Sequence, residues 1–193
     1  YSASDEGIWI NLFVGSAVTV EDVAGTDVEL IQKTDYPWSG EVSITVNPVE
    51  VTEFAVRIRL PKRSVSALYS GKPRSDGVTS IRVNGEAVDP ECENGYAVLA
   101  RTWKAGDRIE LKLPMKIQRV AGIDKIEATR GQIALRYGPL IYCVERVDQD
   151  INGALPREAS LKTEWRGDLL GGVLVITGQW SDGSPLLAIP YYA

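Results

Sequence analysis

The chain of 193 residues carries 21 basic and 26 acidic side chains, a net charge of −5, and lacks histidine altogether. Without imidazole, Ser-His-Asp and Cys-His catalysis and histidine-based zinc sites cannot be built from it, and the acidic balance argues against a basic nucleic-acid footprint. At 44% apolar and 24% charged residues the composition is globular, sized for one large or two small domains, and no apolar run approaches the roughly 18 residues of a membrane-spanning helix.

Period-two alternation dominates the chain and predicts strands. The first runs from Gly7 to Val14 and ends at Gly15-Ser16; the second, Val28–Thr34, follows a Gly25-Thr26 turn. From Glu41 to Asn47, Val42, Ile44 and Val46 alternate with polar residues, and Pro48 closes the run. Phe54–Leu60 repeats the pattern, with arginines on its wet face and Pro61 as the stop. Lys62 to Thr79, rich in Ser, Gly, Lys, Pro and Asp, reads as a long loop whose Lys62-Arg63, Lys72 and Arg74 are solvated. Ile81–Val88 is a hairpin with Asn84-Gly85 at its tip, the strongest local hairpin signal. Gly95–Trp103 and Asp107–Leu113 read as another pair joined through Lys104-Ala105-Gly106. About eight strands before Pro114 are enough for a β-sandwich.

After Pro114-Met115 the texture changes. Lys116–Glu127 reads as a strand with a loop or as a short helical turn. Two apolar runs, Gln132–Tyr137 and Leu140–Glu145, meet at Gly138-Pro139, where a buried strand must bend or start afresh. A polar stretch from Asp148 to Glu158 precedes Leu161–Trp165, Val173–Thr177 and Leu186–Ile189. The expected fold is all-β: two consecutive antiparallel β-sandwich domains, 1–114 and a smaller 115–193.

Few residues carry chemistry. Cys92 lies between Glu91 and Glu93, which blunt a thiol, and the two glutamates themselves read as solvated loop residues. Cys143, among hydrophobes, reads as a small core residue, and the two cysteines are not a disulfide framework. Asp148, Asp150 and Asn152, followed by Gly153, match the first half of a calcium loop. Ala159 stands where the closing glutamate belongs, however, and Pro156 interrupts the loop, so the segment reads as a structural turn. The aromatic turn Asp35-Tyr36-Pro37-Trp38-Ser39-Gly40 is the remaining candidate: its rings either stack on a sugar or cap the core. Asp35, Tyr36 and Trp38 are the candidate substrate-binding residues. Trp9, Trp103, Trp165 and Trp180 read as core or rim packing.

Several motifs resemble one family. Ser4–Phe13 is similar to the Asp-rich turn and strand that follow the helical barrel of glycoside hydrolase family 127, the bacterial β-L-arabinofuranosidases. Gln32–Trp38 resembles its Thr-Asp-Tyr-Pro-Trp turn, and Val83–Glu86 and Trp103–Asp107 resemble its middle β-domain. Leu113-Pro114-Met115, Tyr137–Cys143 and Ile189–Ala193 resemble the entry, signature strand and closing segment of its C-terminal β-domain. The resemblance covers essentially the whole chain, in the family's order.

It implies that the chemistry lies elsewhere. In that family an (α/α)6 barrel holds a cysteine nucleophile in a zinc site of cysteines and a glutamate, an acid/base glutamate and sugar-binding histidines. None maps onto this chain, so it is expected to hold no cofactor and to be inactive alone. The resemblance further implies a chain cut at both ends, the second sandwich lacking a last strand, with an exposed edge open to pairing or dimerisation. The lead reading is the non-catalytic β-sandwich region of a glycoside hydrolase acting on L-arabinofuranosyl or related plant glycans. Its expected partner is its own upstream barrel, which it would buttress, with Asp35–Gly40 near the active-site mouth. An autonomous carbohydrate-binding module and an adhesion-type sandwich with no sugar role are the alternatives.

Overall fold

The computed structural model describes residues 1–63 and 66–192; Ser64 and Val65 of the predicted loop and Ala193 of the closing motif lie outside the described residues. The fold is all-β, with a single 3-10 turn at Glu127–Thr129 and no α-helix among the described residues. Two compact units divide the chain. The first holds Tyr1–Arg63 and Asp76–Pro114, and the second holds the segment ending at Ser75 and everything from Met115 onward.

The first unit is built from β1 (Ser2–Ser4), β2 (Gly7–Ile10), β3 (Ser16–Val23), β4 (Thr26–Thr34), β5 (Glu41–Pro48) and β6 (Thr52–Arg59). The second unit's β7 (Tyr69–Lys72) then intervenes before β8 (Ser80–Val83), β9 (Glu86–Val88), β10 (Glu91–Glu93), β11 (Tyr96–Trp103) and β12 (Asp107–Lys112). One sheet has the order β1-β2-β6-β11-β10 and the other β3-β4-β5-β12-β8-β9. Alternation explains the packing between them. Ile8, Ile10, Val56, Ile58 and Leu99 of the first sheet and Leu30, Ile44, Val46 and Ile109 of the second are all buried in one cluster. Each such side chain contributes about 1.5–3 kcal/mol by leaving water. Trp103, fully buried, donates its indole N–H to the Phe54 carbonyl at 3.0 Å, so its one polar atom is satisfied.

Three departures from the sequence reading have physical causes. The strand beginning at Gly7 stops at Ile10, and Ser16–Val23 forms a separate edge strand against β4. The Gly95–Trp103 and Asp107–Leu113 runs are not a hairpin: β11 pairs with β6 and β12 with β5, so their link crosses between sheets. The predicted 62–79 loop contains β7, which pairs antiparallel with β13.

The second unit comprises β7, β13 (Ile117–Gly122), β14 (Ile133–Tyr137), β15 (Leu140–Cys143), β16 (Lys162–Arg166), β17 (Val173–Gln179) and β18 (Pro185–Pro190). Their order is β16-β17-β18-β15-β14-β13-β7. β18 is the joint of this sheet, its start pairing with β17 and its end with β15. Leu135, Tyr142, Ile176, Leu186 and Ala188 make its apolar cluster. The Gly138-Pro139 break is a two-residue hairpin turn, with Tyr137 opposite Leu140 and Gly138 at φ +54°, a conformation that suits glycine at the first turn position. Lys116–Glu127 supplies both of the alternatives read from it, strand β13 and then a loop leading into the 3-10 turn.

Candidate functional site

The aromatic turn links β4 to β5 and is tied at both ends. The Asp35 carbonyl accepts from the Trp38 and Ser39 amides at 2.8 and 3.1 Å. Thr34 Oγ1 accepts from the Tyr36 amide at 3.0 Å and donates to the Glu41 carbonyl at 2.7 Å, closing the loop across its neck. The Gly40 carbonyl accepts from the Leu113 amide at 2.8 Å, which anchors the far side to the end of β12. With so many backbone groups satisfied locally, the turn is a preformed element.

Its three candidate side chains differ in environment. Tyr36 packs against the core, its ring edge-on to Phe13 with centroids 5.9 Å apart at 84°. Its hydroxyl accepts a hydrogen bond from the Arg63 guanidinium at 2.9 Å. Asp35 is exposed and Trp38 half-buried. Tyr36 is thus a post that holds the turn, and Asp35 and Trp38 are the residues a ligand could reach. On either side of Phe13 in the chain, Leu12 and Val14 are 67% and 58% exposed, and both of their carbonyls accept from the Gln32 side-chain amide, at 3.1 and 2.6 Å.

Arg63 went unrecognised in the sequence, where it reads as part of a solvated basic loop. It is half-buried, and its amide also donates to Asp76 Oδ1 at 2.6 Å. Nothing local announces a partner 27 positions away.

Asp150 Oδ1 accepts from the Asn152 amide and side chain at 2.9 and 2.8 Å, folding the calcium-like segment back on itself, and Asp148 does not join them. Among the described residues, no group of three or more Cys, Asp or Glu is placed to hold a metal ion. Both thiols are free: Cys92 is exposed on β10, while Cys143 is half-buried. Burial, with Glu145 nearby, pushes the Cys143 thiol up and keeps it a weak nucleophile. Of the tryptophans, Trp103 is core, Trp9 lies under the Arg57 guanidinium at 4.5 Å, Trp180 is half-buried, and Trp165 is 58% exposed across Gly172.

The fold matches solved enzymes closely. The β-L-arabinofuranosidase of Geobacillus stearothermophilus T6 aligns with a TM-score of 0.85 and 33% identity over 100% of this chain and 32% of that one. A second β-arabinofuranosidase aligns with a TM-score of 0.84 and 27% identity over 97% of this chain and 32% of that one. Tandem β-sandwich units matching a third of such chains define the accessory β-region of a glycoside hydrolase. The chain belongs to glycoside hydrolase family 127: residues 7–115 match its β-L-arabinofuranosidase middle domain and residues 117–193 its C-terminal domain. A non-reducing end β-L-arabinofuranosidase of Bifidobacterium longum is 31% identical over 186 residues, which are 90% of this chain and 26% of that protein. The chain therefore spans about a quarter to a third of the relatives it matches.

Proposed function

We propose that this chain is the non-catalytic β-region of an enzyme acting on L-arabinofuranosyl or related plant glycans. In this reading its first unit buttresses a catalytic barrel and sets the Asp35–Gly40 turn at the active-site mouth. The observation that carries it is the conjunction of a preformed turn with exposed Leu12 and Val14, which flank in the chain the Phe13 that packs on Tyr36, on a chain made of two family domains. Exposed apolar side chains next to a rigid loop suit an intramolecular partner better than open water. The binding-module alternative needs coplanar, exposed rings. With Tyr36 held inward by Phe13 and Arg63, the turn does not present its two rings as a coplanar exposed pair, which favours the buttress.

Two measurements test this. The chain alone should not hydrolyse an aryl β-L-arabinofuranoside; turnover would sink the non-catalytic assignment. In the full-length parent, Trp38→Ala should raise KM about tenfold with kcat little changed, the mark of lost substrate binding away from the reacting atoms. An unchanged KM would remove the turn from the mouth.

A further inference from the structure

The second unit contains an open groove of about 1130 Å³ with a built floor. The floor is one face of β7, β13, β14 and β15. Register sets Lys72 opposite Arg119, Arg119 opposite Leu135 and Leu135 opposite Tyr142, so the four side chains form a row across the sheet. The wall comes from the 151–157 loop, with Leu155 and Arg157, and from Trp180, whose ring lies over Gly153 and whose N–H donates to Gln149 Oε1 at 3.3 Å.

Three features of this row are costly unless something occupies it. Lys72 and Arg119 are like charges placed directly opposite on neighbouring strands, an arrangement that destabilises a sheet. Of the side chains lining the groove, Lys72, Arg119 and Arg157 are cationic and none is a carboxylate, on a chain of net charge −5. None of the three cations forms an ion pair among the described residues. Finally, two buried polar atoms on the row, Arg119 Nε and the Tyr142 hydroxyl, have no hydrogen-bond partner, and Tyr142 is only 4% exposed. Arg119 is held in place by a bond from its Nη2 to the Ala159 carbonyl at 2.7 Å, so its Nε is fixed as an unused donor. Orphaned buried groups are rare because each costs on the order of 1–3 kcal/mol.

We propose that this groove binds a carboxylate-bearing sugar, a uronic acid residue of an acidic glycan. The carboxylate accepts from Arg119 between the Lys72 and Arg157 charges, a ring hydroxyl pairs with Tyr142, and the C–H face of the sugar lies against Trp180 and Leu155. The anionic character rests on the groove alone; the sugar rests on the reading of the chain as part of a glycoside hydrolase.

Isothermal titration of the whole chain with galacturonate oligosaccharides, neutral arabinose and galactose oligomers of equal length, and oligoglutamate tests it. Binding is expected for the galacturonate series alone, weakening between about 50 and 300 mM salt. Lys72→Gln and Arg157→Gln, at exposed positions that tolerate change, should each cost about tenfold in affinity, as loss of a charged hydrogen bond does. Tyr142→Phe should weaken binding while leaving the melting temperature unchanged or higher, since it deletes an unsatisfied hydroxyl. A hydroxyl of purely structural use would lower it. No binding of galacturonate, equal binding of the neutral oligomers or of oligoglutamate, or unchanged affinity in the variants would each overturn the proposal. Catalysis by the chain alone would overturn the buttress reading but leave charge-selective binding standing, so the two failures are distinguishable.

Discussion

Gly7→Ala should be among the most damaging single-atom changes in the first unit. Gly7 opens β2 at φ +153°, and an added Cβ would lie 2.0 Å from the Ala55 carbonyl oxygen, about 1 Å inside the closest approach real Cβ atoms make. That oxygen belongs to β6, which pairs in parallel with β2, so the strands must separate where the pairing begins. The backbone strain costs about 1–2 kcal/mol. Loss of the bond from the Ala55 amide to the Glu6 carbonyl, 3.2 Å long, costs about 1 kcal/mol. Partial retreat of fully buried Ile8 adds another 1–2 kcal/mol or so. The sum is about 3–5 kcal/mol. The control is Gly25→Ala, where φ is +83° and nothing lies within 4 Å of the new atom, so only the strain of about 1 kcal/mol applies. Urea unfolding followed by circular dichroism measures both, with hydrogen exchange at the Ile8, Ile10 and Val56 amides as the local readout. Equal losses for the two variants would refute the close-approach argument.

Trp103→Phe should cost about 2–4 kcal/mol by urea titration, because it removes the indole bond to the Phe54 carbonyl and leaves a cavity at a fully buried position. Gly71→Val places a Cβ 2.9 Å from the Arg136 guanidinium and 3.2 Å from the Gln118 amide. It should strip hydrogen-exchange protection from β7 while leaving β16–β17 unchanged. Asp107 gives a pH test: burial pushes its carboxyl up, but hydrogen bonds from Asn84 and the Lys104 amide, with the charges of Arg101 and Lys104, hold it below the usual 3.8. A depressed folded value stabilises the protein above pH 3.8 and is lost as pH falls through it. Asp107→Asn should therefore be less stable than wild type at pH 7, with the gap closing below pH 3.8 in melts run across the acid range.

What could be read from the sequence depended on where each strand sits. β5 and β6 are flanked by neighbours on both sides and bury one face, so alternation names them. The β8–β9 hairpin follows from Asn84-Gly85, both at positive φ. β3 is an edge strand whose inward Val18 and Val20 are only half-buried, so its apolar signal is thin. β7, Tyr-Ser-Gly-Lys, has no apolar alternation; it is a strand because β13 offers it a ladder of backbone partners, and side-chain patterns carry no trace of that. The turn at Asp35–Gly40 was legible for a reason just as local, a proline between two strands. Which ring faces inward was not, since that is decided by Phe13 and Arg63, far along the chain in both directions.

The groove shows the limit of sequence reading most sharply, because its chemistry is a product of register. Lys72 and Arg119 are unremarkable basic residues in their own segments, one in an apparent loop and the other in an ambiguous stretch. Only the antiparallel ladder makes them opposites, and only the next two ladders extend their row to Leu135 and Tyr142. A one-residue slip in β7 would send Lys72 to the other face, leaving Arg119 without its like-charged neighbour. Register is specified here by Gly71, whose bare Cα lets Arg136 and Gln118 close against β7, with the Gln118 amide donating to the Pro73 carbonyl and its Oε1 accepting from Arg136. The buried polar pair beneath the sheet therefore fixes the cationic pair above it. It follows that changes at Gly71 or Gln118, which do not line the groove, should weaken anion binding as much as removal of Lys72 itself.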